Sequence, residues 1–346
     1  MKPIPRRSST LKDVAQAAKV SLSTASRVLS GKAEAYRISE VTEKAVQLAA
    51  KQLRYRPSRI AQSLRSQTTG MIGVLLPDIG NPFFSAIANQ VSVLAEKHSF
   101  SVLLACSRES TDTETYLVQE LCSRQVDGLI VCPVGERADH LVELDATGLP
   151  MVLVDRGFSD SGMVTVMSEN CEGATQLTRL VLEKGHRKVG ILQGIPGTLL
   201  SEERLRGIRI ALHEKRIEFS PALVRGNQFD EPSGYKAAHW LLKHHPDITA
   251  IIALNNLSLL GAMRAISELG IQVPEQLSLA TFDDIPFADF LKTPLTAACQ
   301  DVPGLGQTAA KLLLEHIKTG KQPEQVTHRL PVQLVVRTSI APAPAL

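Results

Sequence analysis

Apolar residues near the start of the chain recur at the spacing of short amphipathic helices. Leu11, Val14, Ala15 and Ala18 fall at i, i+3, i+4 and i+7 behind Thr10-Leu-Lys-Asp13, a capping-box pattern that predicts a helix starting at Thr10 or Leu11. Ser21 is a second N-cap, opening a run over residues 22–30 in which Ala25, Val28 and Leu29 share one face while Ser23, Thr24 and Arg27 point elsewhere; Gly31 ends it. After a polar loop, Ser39 with Glu40 and Glu43 starts a third helix whose expected buried stripe is Val41, Ala45, Leu48, Ala49 and Leu53. Two short helices joined by a tight turn and covered by a third form the layout of a helix-turn-helix, which sets the N-terminal side chains of its second helix against base edges. The same periodicity also fits a plain basic three-helix bundle.

Beyond Gln67-Thr-Thr-Gly70 the pattern changes. Short apolar runs at residues 71–76, 102–105, 128–132, 151–155, 189–192, 250–254 and 277–282 predict strands. Helical patterns at 83–97, 171–184, 204–215, 233–244 and 257–269 lie between them. This alternation predicts two lobes of parallel sheet covered by helices, with ligands in the crevice at the strands' carboxyl ends. Asn81-Pro-Phe-Phe84, Asp155-Arg156, Asn255-Asn256 and Asp283-Asp284 fall at those ends. Acids and amides pair with hydroxyl groups and aromatic faces cover a sugar ring, so the set suits a polyol; singly, each residue also fits a helix cap or turn.

Charge divides the chain the same way. The net charge of the 346 residues is only +3, yet residues 1–66 hold 14 Lys and Arg against 4 Asp and Glu, while the remainder is acidic and holds all nine histidines. A small polyanion-binding module joined to an ordinary globular core is the expected organisation. Cys106, Cys122, Cys132, Cys171 and Cys299 have no metal-ligand spacing and are expected to be reduced core thiols in a cytoplasmic protein. No apolar run approaches the roughly 18 residues of a membrane span and no apolar stretch follows the basic N-terminus, so neither insertion nor secretion is expected. Dinucleotide, Walker, nucleophile-elbow and zincin motifs are missing; the glycines at 190, 194 and 197 are too sparse for a dinucleotide site, and His239, His244 and His245 share no helical face.

Thr10-Leu-Lys-Asp-Val-Ala15, Ala18-Lys-Val-Ser21, Ser23-Thr-Ala-Ser-Arg-Val-Leu29, Tyr55-Arg-Pro57 and Ala61-Gln-Ser-Leu64 resemble, in order and spacing, the DNA-binding head of the LacI/GalR family. The loop from Gly31 to Ser39 resembles the fructose and sucrose repressor branch. Lys19 stands where the family usually has Gly, a cost of roughly 1 kcal/mol if the turn needs positive φ. The resemblance implies that Leu22, Ser23 and Arg27 read bases, that Ser21 and Thr24 contact phosphates, and that residues 57–65 form a hinge helix with Leu64 wedged into the minor groove. The core is similar to the family's sugar-binding domains and to periplasmic sugar-binding proteins through Ile72-Gly-Val-Leu-Leu-Pro-Asp78, Gly185-His-Arg-Lys188, Glu203-Arg-Leu-Arg-Gly207, Ser233-Gly-Tyr235, Thr281-Phe-Asp-Asp284 and Pro294-Leu-Thr296. This implies effector contacts from Phe84, Asp155, Arg204, Phe229, Asn255 and Asp283. Asn256 and Glu169 depart from the family's Asp.

The expected protein is α/β: a three-helix helix-turn-helix head (1–56), a hinge helix and linker (57–68), and a two-lobed periplasmic-binding-protein-like core with parallel sheets (69–346). Its expected function is sequence-specific transcriptional regulation, as a repressor, controlled by a sugar, sugar phosphate or sugar acid. The expected partners are a palindromic double-stranded operator and a second copy of the chain, since no leucine heptad follows Arg337; no metal, cofactor or membrane is expected. The alternatives are a sugar-binding protein or a sugar-processing enzyme with an accessory basic domain. Arg204→Ala is expected to abolish effector binding and leave the core folded.

Overall fold

The computed structural model describes residues 9–55 and 68–344. The chain divides into two compact units that meet at Thr69 and Gly70. In the first, α1 (Leu11–Ala17) carries the expected capping box, Thr10 and Asp13 satisfying one another's backbone N–H. Helix α2 (Leu22–Leu29) is capped by Ser21 and α3 (Glu40–Gln52) by Ser39. The turn between α1 and α2 holds Lys19 at φ 52, the left-handed conformation for which glycine would be the easy choice. A 3-10 turn, Glu34–Tyr36, occupies the loop before α3.

The stripe expected on α3 is met only in part: Ala49 is buried and Leu53 packs against the core. Val46, Ala49 and Ala50 are buried with Val14, Ala15, Ala25 and Val28, whereas Val41 is 79% and Leu48 57% exposed and Ala45 is exposed with them. The face turned inward carries small alanines, which let three short helices approach closely, so counting the larger residues picks the wrong face.

The second unit contains two six-stranded sheets. Strands β1 (Met71–Leu76), β2 (Ser101–Cys106), β3 (Gly128–Val131), β4 (Met151–Val154) and β5 (Thr165–Ser168) form the first, with β11 (Thr327–Leu330) at its edge, in the order β11-β5-β4-β3-β1-β2. Strands β6 (Val189–Leu192), β7 (Val224–Arg225), β8 (Ala250–Ala253), β9 (Ser278–Phe282), β10 (Thr296–Gln300) and β12 (Val332–Val335) form the second, in the order β12-β10-β9-β8-β6-β7. All pairings are parallel except β10 with β12. Both sheets reverse direction between their first and third strands, and such a switch point opens a crevice beyond the strand ends.

Helices α4 (Pro82–Lys97), α5 (Thr111–Ser123) and α6 (Asp139–Asp145) cover the first lobe; α7 (Asn170–Glu183), α8 (Leu199–Glu214), α9 (Glu231–His244) and α10 (Asn256–Glu268) cover the second. Helix α11 (Val302–Thr319) returns to the first lobe, where Leu305, Ala309 and Leu313 pack with Ile72, Val152 and Val166. The chain therefore crosses between lobes beside Glu169, Asp301 and Pro331. A bidentate pair also crosses, Arg329 donating to Glu203 at 3.1 and 2.6 Å. Gly207 is required where α8 crosses α7, since a Cβ there would lie 2.2 Å from the Cys171 carbonyl oxygen.

Several elements were not expected from periodicity. Buried Thr165 and Ser168 disguise β5, Ala297 and Ala298 give β10 little β-propensity, and Pro303, Gly304 and Gly306 make the start of α11 read as loop. The cysteines are a correction: Cys132 alone is buried, and the other four are half-buried free thiols.

Candidate functional site

Phe84, Asp155, Arg204, Phe229, Asn255 and Asp283 converge on one cleft of about 440 Å³ between the lobes of the second unit. Each comes from a strand end or the helix that follows, except Phe229, which lies in the loop between β7 and α9. Asp155 succeeds β4 at φ 67 and Asp283 succeeds β9 at φ 70, so equivalent left-handed turns in the two lobes aim two carboxylates across the gap. Gln300, at the end of β10, bridges them: its Nε2 donates to Asp283 Oδ1 at 2.6 Å and lies 3.5 Å from Asp155 Oδ1. Asp283 and Asp284 part company in the turn after β9, and Asp284 instead accepts two bonds from Arg337.

Arg204 is 1% exposed. Its guanidinium stacks 3.7 Å over Phe282, donates from Nε to Asn170 Oδ1 at 2.9 Å and from Nη1 to the Leu254 carbonyl, and lies 3.7 Å from Asp283. Arg204 thus braces the inter-strand floor as well as facing the cleft. Truncation to Ala removes a fully buried side chain and orphans these acceptors, so the expectation of an intact core is corrected: the variant should be markedly destabilised.

Arg156 was noted only as a neighbour of Asp155, yet it occupies the middle of the cleft. Its terminal nitrogens donate to both oxygens of Glu109 at 2.7 and 2.8 Å, and its guanidinium lies 4.5 Å from the Phe229 ring centre and 5.6 Å from that of Phe84. The aromatics therefore hold an arginine as well as lining the cavity. Burial lowers the Arg156 pKa, but the Glu109 charge and hydrogen bonds outweigh it and hold the group cationic. Nε of Arg156 is buried without a hydrogen-bond partner. Phe229 owes its seat to Gly194, where a Cβ would lie 1.9 Å from the ring.

A reciprocal amide pair joins the lobes at the cleft wall. Asn81, the cap of α4, and Asn256, the first residue of α10, donate to one another at 3.3 and 2.8 Å. That exchange requires an amide on each side, which accounts physically for Asn256. Asn255 caps α10, accepting from the Ser258 N–H at 2.8 Å. Gln300 and Glu109 were missed altogether: Gln300 ends a strand that periodicity did not reveal, and Glu109 sits in a turn with no sequence signature.

Burial pushes the Asp155 carboxyl up to about 6, against the attraction of Arg156 and Arg204. Burial also raises Asp283, opposed first by Arg204. Between about pH 4 and 6 the folded protein holds a proton on Asp155 that the unfolded chain releases, so stability falls as pH rises through this window, by on the order of 2–3 kcal/mol. Thermal melts of Asp155→Asn at pH 4.5 and 7 should show a smaller pH difference than the parent.

On the first unit, Ser21 Oγ accepts from the Thr24 N–H at 3.0 Å and shares hydroxyl bonds with Ser23 and Thr24, both at 2.8 Å. Leu22 is 53% exposed beside them. The Arg27 guanidinium lies 4.0 Å over the Tyr36 ring, and Ser21, Leu22, Ser23, Thr24 and Arg27 all keep some exposure at the start and along α2. Leu64 lies outside the described residues. His239 stacks on Tyr235 and His244 on Trp240, and among the described residues no group of three or more His, Cys, Asp or Glu could hold a metal ion. No helix among them is long and apolar enough to cross a membrane.

A helix-turn-helix unit followed by a two-lobed core with a polar cleft at its switch points defines a ligand-responsive DNA-binding regulator. Residues 10–58 match the family of bacterial regulatory proteins, lacI family, and residues 69–338 match the periplasmic binding proteins and sugar binding domain of LacI family. The chain belongs to the LacI family. It is 34% identical to a ribose operon repressor of Halalkalibacterium halodurans over 95% of this chain and 96% of that protein. The fold is similar to the lac repressor dimer bound to operator and the anti-inducer ONPF, with TM-score 0.86 and 28% identity over 97% of this chain and all of that one. It is also similar to a LacI family regulator of Enterococcus faecium with bound ribose, with TM-score 0.70 and 29% identity over 79% of this chain and all of that one. The protein is accordingly a DNA-binding transcriptional regulator with a small-molecule effector.

Proposed function

We propose that the protein is a cytoplasmic homodimeric repressor whose head reads a palindromic operator and whose cleft takes a neutral sugar of about the size of ribose. The observation that carries the effector class is the charge pairing in the cleft. Arg156 is matched by Glu109 and Arg204 by Asp283, so a ligand meets no unpaired buried cation to attract a dianion. What it does meet is the acceptor oxygens of Asp155 and Asp283, the Asn255 amide and the guanidinium of Arg156, a pattern complementary to hydroxyl groups. Phe84 and Phe229 supply apolar faces for ring carbons. The ribose bound to a structural relative supports the size class.

In the head, Leu22, Ser23 and Arg27 contact base edges, Arg27 pairing bidentately with guanine, while Ser21 and Thr24 contact phosphates and Leu64 wedges into the minor groove. Units 1–56, 57–68 and 69–346 act as head, hinge and sensor. The relatives are repressors, and no turnover of the sugar is expected.

Calorimetry of the full-length protein with D-ribose, other pentoses, hexoses, ribonate and D-ribose 5-phosphate tests the effector assignment. A neutral pentose should bind best, and its affinity should rise from pH 5 to 7 as Asp155 ionises to accept hydroxyl protons. Tighter binding of the acid or phosphate would overturn the neutral-sugar reading.

A further inference from the structure

Glu109 lies in the turn after β2, on neither a sheet nor a helix, yet its carboxylate determines what the most central cation of the cleft can do. Both its oxygens are taken by the terminal nitrogens of Arg156, a bidentate geometry that fixes the guanidinium plane. The turn that delivers it is strained. Arg108 and Glu109 hold φ of 54 and 55 in succession, and non-glycine residues in that region cost about 1 kcal/mol each. The neighbouring backbone holds the turn in place: the Ser107 N–H donates to the Leu76 carbonyl at 2.9 Å and the Arg108 N–H to the Pro77 carbonyl at 2.8 Å. Two strained residues maintained beside a cleft are the kind of feature that function retains.

We propose that Glu109 is a specificity-determining residue that makes the cleft select a neutral sugar over its phosphate ester. Paired with Glu109, Arg156 has its two parallel end-on N–H groups committed and keeps only Nε and one outer N–H on each terminal nitrogen for other acceptors; relieved of Glu109, it would present the parallel pair that suits a phosphate. The carboxylate acts twice, occupying those donors and placing a fixed negative charge where the phosphate would sit. The other cations of the cleft do not compensate. Arg204 spends Nε on Asn170 and Nη1 on the Leu254 carbonyl, with the Asp283 carboxylate 3.7 Å away offsetting its charge, and Arg108 is exposed to solvent, where its charge is screened. The inference rests on the neutral-sugar reading above.

The test compares D-ribose and D-ribose 5-phosphate by calorimetry on the full-length parent, Glu109→Gln and Glu109→Asp. The parent should prefer ribose by about tenfold or more, and Glu109→Gln should shift the ratio of affinities toward the phosphate by at least about tenfold, through tighter phosphate binding. Glu109→Asp keeps the charge and should keep the rejection while weakening ribose. Should the Gln variant fail to fold, Glu109→Asn, shorter and equally neutral, carries the same expectation. If the neutral variant lowers both affinities by one factor and leaves the ratio unchanged, Glu109 only supports the fold and the proposal is overturned. A parent that binds the phosphate better than ribose would instead overturn the neutral-sugar reading, whatever the variants do.

Discussion

Replacing Arg156 with Met should lower effector affinity by about a hundredfold or more, because a buried charge-assisted hydrogen bond to a hydroxyl is worth roughly 1.5–3 kcal/mol and the aromatic seat would be repacked as well. The guanidinium lies against the Phe229 and Phe84 rings, and Glu109 takes only two of its five N–H groups. A long apolar substitute fills much of the same space and offers no donor. The substitution also leaves Glu109 without its partner, so the ligand-free melting temperature should fall. The double variant Arg156→Met/Glu109→Leu separates the two effects: it should recover stability and not binding. Calorimetry with D-ribose and a thermal melt of each variant read the two outcomes independently, and recovered binding in the double variant would remove Arg156 from the site.

The second large effect belongs to the head. Arg27→Ala should cost about 1–3 kcal/mol on the specific operator, felt at one symmetric base position, and far less on random duplex. The guanidinium rests over Tyr36, which restricts its rotamers before DNA arrives, so Tyr36→Ala should weaken operator binding by a smaller factor in the same direction. Fluorescence anisotropy on specific and random duplexes at one salt concentration provides both numbers, since phosphate contacts alone scale with salt rather than sequence. Equal losses on the two duplexes would show that Arg27 contacts only backbone.

What could be read from sequence depended on whether chemistry or environment dictated each residue. Caps were legible because they are local: Thr10, Ser21 and Ser39 all bond the N–H groups their positions imply. The parallel strands were legible where they are apolar on both faces, as in β1, β6 and β8, and illegible where polar residues are buried, as in β5. The α3 stripe held for Ala49 and Leu53 and misled for Val41, Ala45 and Leu48, because Val46 and Ala50 face the core in their place. In the cleft, strand-end Asp, Asn and Arg residues marked the crevice that Phe84, Asp155, Arg204, Phe229, Asn255 and Asp283 line together, as doubly wound topology implies. Gln300 and Glu109 acquire their importance only through partners distant in sequence, Asp155 and Arg156, and no spacing rule reports such pairs. The reciprocal bonding of Asn81 and Asn256 is of the same kind.

That amide pair, the Gln300 contact with Asp155 and the Arg329–Glu203 bond all join one lobe to the other. A ligand that inserts among them has differential contacts with different lobe arrangements, which is the thermodynamic requirement for coupling the cleft to the head. The central claim is that occupancy of the cleft is converted into a change of operator affinity. It is tested most directly by measuring the affinity of the full-length protein for a palindrome selected from random duplexes, with and without saturating D-ribose. The account predicts that ribose changes this affinity by about tenfold or more, the usual scale of allosteric coupling, while leaving binding to a scrambled duplex nearly unchanged. Identical operator affinity with the cleft empty and demonstrably filled would contradict it.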